Sequence, residues 1–215
     1  MLIPFKELFD RHHITSTTCL HLGANYGQER EQYAAVGLAR VVWVEALPDV
    51  CAQLKENVVG YARHHVLCAC LSDVNNKHVE FNVANNEFQS SSLLALGTHR
   101  QEHPSVKFMH SIKMTTIRCD ALLIAHRIEI EEHSFLNIDL QGAELMALRG
   151  MGDDLLKRFD HAYIEVNEKH LYVGCPLVAE VDAFMEEHGF LGKEVKMMKA
   201  GWGDKYYARK QCSLL

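Results

Sequence analysis

Short, nearly unbroken apolar runs recur along the chain, and amphipathic stretches fill most of the gaps between them. "CLHLG" at 19–23, "RVVWVEA" at 40–46, "HVLCACLS" at 65–72, "HSFLNIDL" at 133–140 and "FDHAYIEV" at 159–166 have the pattern of strands covered on both faces, as in a parallel sheet. "REQYAAVG" reads as a helix that Gly37 ends, and Pro48 opens a helix whose Cys51, Leu54 and Val58 share one face. "GAELMALRG" reads as another, ended by Gly150. Residues 176–188 are the clearest amphipathic helix, with Leu177, Val181, Phe184 and Met185 inward, Pro176 at its start and Gly189 at its stop. Two runs alternate with period two, "HVEFNVA" and "VKFMHSIKMTTI". The polar segment between them, rich in serine and histidine, is longer than a hairpin turn and reads as a functional loop or lid. Residues 190–210 read as a closing β-hairpin around Ala200-Gly201.

The resulting order is β-α-β-α-β, a hairpin-like excursion, then β-α-β-α-β-β. That alternation predicts a three-layer α/β fold with a mostly parallel sheet. No repeat and no linker interrupts it, so 1–215 reads as a single domain. Residues 1–16 form an N-terminal helical appendage, and 75–116 supply inserted strands and a substrate loop.

Composition narrows the function classes. Hydrophobic residues make up 48% of the 215, enough for a sizeable core. A net charge of −6 argues against gripping nucleic acid through its phosphates. Seven cysteines is an odd number. Those at 19, 51, 68, 70 and 119 lie in apolar segments and read as small buried thiols. Cys68-Ala69-Cys70 lacks the two-residue spacing of a redox or zinc pair. The expectation is a reducing, cytoplasmic setting with no membrane contact, since no apolar run approaches the ~20 residues of a membrane span. His99, His103 and His110 lack zinc-site spacing, and no metal is expected.

In such folds ligands bind beyond the carboxyl ends of the strands. Those ends hold Gly23 to Gly27, Glu45, Ser72-Asp73, Asp139 to Glu144, and Glu165. The first turn is not the dinucleotide fingerprint, because Asn25 stands where a glycine is required. Gly23 and Gly27 still permit a tight turn with close backbone approach. Glu45 ends the second strand, where a carboxylate can accept both hydroxyls of a ribose. The plainer reading is a glycine turn beside a solvated glutamate. For Glu144 it is a helix N-terminal carboxylate favoured by the dipole.

"HLGANYGQ", "VEALPD" and "NIDLQGAE" occur together, with "CLSD", "SSSL", "TTIRCDALL", "HAYIEVNEKHLYVG" and "GWGDKYYARK". With these motifs the chain resembles the FkbM family of S-adenosylmethionine-dependent methyltransferases from residue 19 to about 210. The resemblance implies a class I methyltransferase fold, Rossmann-like, whose seven-stranded sheet has an antiparallel last strand, and S-adenosyl-L-methionine as cofactor. It implies that Gly23, Ala24, Asn25 and Gly27 form the cofactor loop and that Glu45, flanked by Ala46 and Leu47, holds the adenosine ribose. Ser72 and Asp73 would pass near the adenine edge. Asp139 would lie beside the methyl-transfer site, as cofactor contact and first candidate base. Glu165 and Glu144 are the alternatives for that base, or would position the acceptor or anchor the turn. His21 stands where the family has an aspartate in the network around the methionyl end, and it offers no carboxylate there. The implied reaction is O-methylation of a sugar or small natural-product hydroxyl, so the partner is a small-molecule or glycan acceptor. Two rival readings are an RNA ribose methyltransferase, for which no lysine-centred set or basic groove is evident, and a non-catalytic nucleoside-binding or scaffold protein.

Overall fold

The computed structural model describes residues 2–210. In chain order the elements are α1 (Phe5–His12), β1 (Thr18–Leu22), α2 (Arg30–Ala35), β2 (Arg40–Glu45), α3 (Pro48–Asn57), β3 (His64–Cys68), β4 (Cys70–Leu71), β5 (His78–Ala84), α4 (His99–Glu102), β6 (Phe108–Ile117), α5 (Cys119–Ala125), β7 (Ser134–Ile138), α6 (Glu144–Arg149), α7 (Gly152–Leu156), β8 (Phe159–Asn167), α8 (Val178–Glu187), β9 (Phe190–Met197) and β10 (Trp202–Arg209).

Seven strands form one sheet in the order β3-β2-β1-β7-β8-β10-β9. The first five are parallel, and β10 lies antiparallel between β8 and β9. This is the seven-stranded arrangement expected from the sequence. β1 and β7 are buried at every position, because helices cover both faces. On one face Cys19, Val41, Trp43, Phe135 and Tyr163 pack with Phe5, Phe9, Tyr33 and Leu54 from α1, α2 and α3. On the other, Leu20, Leu22, Val42, Val44, Leu136 and Ile138 pack with Leu122, Leu148, Val181 and Met185 from α5, α6 and α8. Each fully buried leucine contributes about 1.5–3 kcal/mol relative to exposure, which is why these strands read as unbroken apolar runs.

From β1 the chain steps outward to β2 and β3, then crosses back to β7 on the opposite side of β1. The switch point lies between β1 and β7. The loops that follow those two strands therefore diverge, and a crevice opens between them.

The expected third strand, 65–72, is corrected. It divides at Ala69, whose N–H bonds the Glu45 carbonyl at 2.8 Å. β3 ends the main sheet, while β4 pairs with β6 in a second, three-stranded sheet, β4-β6-β5. As an edge strand, β3 buries only Leu67. Cys68 is consequently exposed, unlike the buried Cys19, Cys51, Cys70 and Cys119. The helix expected over 176–188 runs from Val178 to Glu187; Phe184 is half-buried against the His188 ring, 4.1 Å between centroids. Among the described residues no helix is long and apolar enough to cross a membrane.

Candidate active site

The β1–α2 turn meets the end of β7 backbone to backbone. Gly23 has φ +86°, and a Cβ on it would sit 1.6 Å from the Asp139 carbonyl oxygen, so no side chain fits. Gly27, at φ +69°, packs on Leu54. Between them Asn25, also at positive φ, accepts from the Tyr26 N–H through its own side chain at 2.7 Å.

Glu45 ends β2 and is nearly buried. Its carboxylate accepts the N–H groups of Asn25 (2.9 Å), Ala46 (2.8 Å) and Leu47 (2.9 Å). Burial pushes its pKa up, against those bonds. A carboxylate has about four acceptor positions, so a position on Oε2 remains for a ligand hydroxyl.

These groups open onto a cavity of about 530 Å³ at the switch point. At the Glu45 end the walls are apolar: Ala46, Cys70, Leu71 and Phe81. Farther in lie Glu29, Asp139, Gln141, Glu165, Trp202 and Asp204. The segment after β5 roofs the cavity with Phe88, Ser90, Ser91, His99 and His103. Ser92 anchors that roof by donating to the Gln141 carbonyl at 2.7 Å.

Gln141 joins the carboxylates. Its amide nitrogen donates to Asp139 (2.7 Å) and to Glu165 (2.9 Å), and its amide oxygen accepts from the Tyr172 hydroxyl at 2.6 Å. Glu165 is 7% exposed. Burial, then the Asp139 charge, holds its pKa well above the ordinary carboxylate range. Carboxylate oxygens of Asp139, Glu144 and Glu165 lie within 4.8 Å of one another, a spacing that could also hold a metal ion.

Glu144 belongs to the turn and does not line the cavity. Its Oε1 accepts the N–H groups of Leu140 (3.0 Å) and Gly142 (2.9 Å), and burial pushes its pKa up to about 7. Its Oε1 is thus engaged in holding the 140–142 turn, behind the residues that line the cavity. Ser72 and Asp73 also lie off the cavity lining. The Ser72 N–H pairs with the Ile117 carbonyl, and its own carbonyl packs against Gly150. Cys70 and Leu71, the two residues of β4, take the cavity wall in their place. Gly27 and Leu47 support the site without lining it.

His21 is 3% exposed. Its Nδ1 lies 3.0 Å from the Tyr33 hydroxyl and its Nε2 3.3 Å from the Asn137 amide nitrogen. Burial lowers its pKa to about 3. It is a neutral ring in a core network at the cavity floor. Glu29, Tyr172, Trp202, Asp204 and His99 escaped the sequence reading. Asp204 lies within β10 and Tyr172 in the loop after β8, and the hairpin pattern gave no hint of which of their neighbours faced the cavity.

The fold is that of known methyltransferases. A candidate tRNA (m1A22) methyltransferase from Streptococcus pneumoniae superposes with TM-score 0.53 at 12% identity, over 100% of this chain and 73% of that one. A candidate RNA methyltransferase from Pyrococcus horikoshii gives 0.52 at 14%, over 97% and 81%. A TehB-like SAM-dependent methyltransferase from Corynebacterium glutamicum gives 0.51 at 9%, over 98% and 89%. No curated protein matches the chain in sequence. The Methyltransferase FkbM domain matches residues 21–191, a span that holds the glycine turn, Glu45 and the Gln141-linked carboxylates; the chain belongs to this family and is an S-adenosylmethionine-dependent methyltransferase.

Proposed function

We propose that the enzyme methylates a hydroxyl of a sugar or small natural product. One observation carries this reading: the Asp139 and Glu165 carboxylates, linked by Gln141, face the same cavity as Glu45.

The residues present suit the cofactor. Gly23 lets the β1–α2 turn close against the Asp139 carbonyl at the cavity edge, Glu45 keeps an acceptor position for a ribose hydroxyl, and Ala46, Cys70, Leu71 and Phe81 offer an apolar slot for a base. When bound, S-adenosylmethionine supplies an electrophilic methyl group on a sulfonium. The protein has to align an acceptor with that methyl, exclude water and remove a proton. Asp139, exposed at the end of β7, is assigned to orient the acceptor hydroxyl and take its proton. Glu165 and Gln141 hold Asp139 in place. Residues 75–116, which include β5 and β6, are assigned to shaping the acceptor side.

Charge favours a non-anionic acceptor. Among the described residues the cavity lining includes Glu29, Glu45, Asp139, Glu165 and Asp204, and no lysine or arginine. An RNA backbone would bring phosphates to carboxylates with no cation between them. The core bonding of His21 explains that residue without a relict, non-catalytic pocket.

The test is methyl transfer from labelled cofactor to a panel of neutral sugars, hydroxylated natural products, phosphorylated sugars and RNA. Mass spectrometry locates the methyl. A methyl on a hydroxyl of a neutral acceptor is expected; transfer confined to RNA or to nitrogen would overturn the reading.

A further inference from the structure

The cavity contains a carboxylate without a counterpart. Glu29 caps α2 and is half-buried in the cavity wall. Among the described residues no side chain donates a hydrogen bond to it and no lysine, arginine or histidine pairs with it; its own backbone N–H bonds it. Burial and the nearby Asp139 and Asp204 charges raise its pKa. The neighbours differ in this respect. Asp139 accepts from the Gln141 amide. Asp204 accepts from the Tyr163 hydroxyl and the Leu2 N–H. Glu45 accepts three backbone N–H groups. A half-buried carboxylate beside two others, with no cationic side chain paired to it among the described residues, gains from a ligand that brings positive charge to it.

The cofactor brings that charge. Were its nucleoside held at the Glu45 end, its amino-acid end, which carries an ammonium group, would be left to the part of the cavity lined by Glu29, Asp139 and Asp204. β1 cannot meet this group with a charge. His21 is neutral, and both its ring nitrogens are engaged by Tyr33 and Asn137. We propose that Glu29 is the cofactor-binding residue that pairs with the ammonium of the amino-acid end, from the start of α2 instead of from β1. The inference rests on the cofactor assignment and is independent of the acceptor's identity.

Calorimetry with two ligands tests it. S-adenosylhomocysteine carries the ammonium; 5′-methylthioadenosine shares the nucleoside and lacks the amino-acid end. Glu29→Gln should weaken S-adenosylhomocysteine by about 10- to 100-fold, the loss of one hydrogen bond between charged groups, and leave methylthioadenosine within twofold. Glu45→Gln should weaken both. Deaminated S-adenosylhomocysteine against the wild type should lose as much as Glu29→Gln does, with no further loss when the two changes are combined; the wild-type arm holds even where the variant fails to fold. Equal weakening of both ligands by Glu29→Gln, or of neither, overturns the proposal, as does undiminished binding of the deaminated ligand. Wild-type protein that binds neither nucleoside overturns the cofactor assignment as well.

Discussion

At the residue scale, the two carboxylates that Gln141 links have different surroundings. Asp139 is exposed at its strand end and receives one amide hydrogen bond, whereas Glu165 is buried with its pKa raised by burial and by Asp139. Of the two, the exposed Asp139 is the one proposed as the base. Asp139→Asn keeps size and one acceptor oxygen. It should lower single-turnover methyl transfer by roughly 100-fold or more, the usual range for a general base, and leave cofactor affinity within a few-fold. Glu165→Gln should cost less. A larger loss in Glu165→Gln than in Asp139→Asn would reverse the assignment.

At the scale of elements, the second sheet and the segment that follows β5 form a roof joined to itself and to the loops after β7 and β8 at a few points. Asn82 and Ser92 exchange backbone hydrogen bonds, Leu96 bridges Tyr172, and the Ser92 hydroxyl reaches the Gln141 carbonyl. Ser92 is fully buried. Ser92→Ala leaves that carbonyl short of a donor, at a cost of about 1–3 kcal/mol. The melting temperature should fall by several degrees, at roughly 2–4 °C per kcal/mol for a chain of this size. Because the pin lies beneath the acceptor side, KM for the acceptor should rise while S-adenosylhomocysteine affinity holds. An equal fall in cofactor affinity would show that the roof serves the whole cavity.

For the whole molecule, buried titratable groups shape stability against pH. His21 has its folded pKa depressed to about 3. The unfolded state therefore binds the extra proton below about 6.5, and stability is lost as pH falls through that range. Glu144 is the opposite case, with its folded pKa raised to about 7. Its contribution is full below the unfolded value and lost as pH rises through about 7. Between about pH 4.5 and 6.5 the two slopes oppose each other. Above that, Glu144 acts without His21. Glu144→Gln removes the titration and keeps an acceptor for the turn. Melting temperatures between pH 6 and 8 should fall with pH in the wild type and change less in the variant; parallel curves would show that Glu144 does not titrate there.

The apolar runs marked most of the main-sheet strands along the chain, because a strand covered on both faces holds few polar positions. β1, β2, β7 and β8 were legible for that reason, and so was the glycine turn, since Gly23 and Gly27 occupy backbone conformations other residues avoid. Glu45 and Asp139 followed from the rule that ligands gather at strand ends. The tertiary structure decided what depends on neighbours far away in the chain. The sheet edge lies at β3, so the 65–72 run divides and Cys68 is exposed. Gln141 joins Asp139 to Glu165, 24 residues on. Among the described residues Glu29 stands without a side-chain partner, while Asp204 accepts from Tyr163 and Leu2. A sequence states which carboxylates are present. Which of them is paired, buried or open to a ligand depends on the desolvation and hydrogen bonds that packing imposes, and these come from residues with no fixed spacing along the chain.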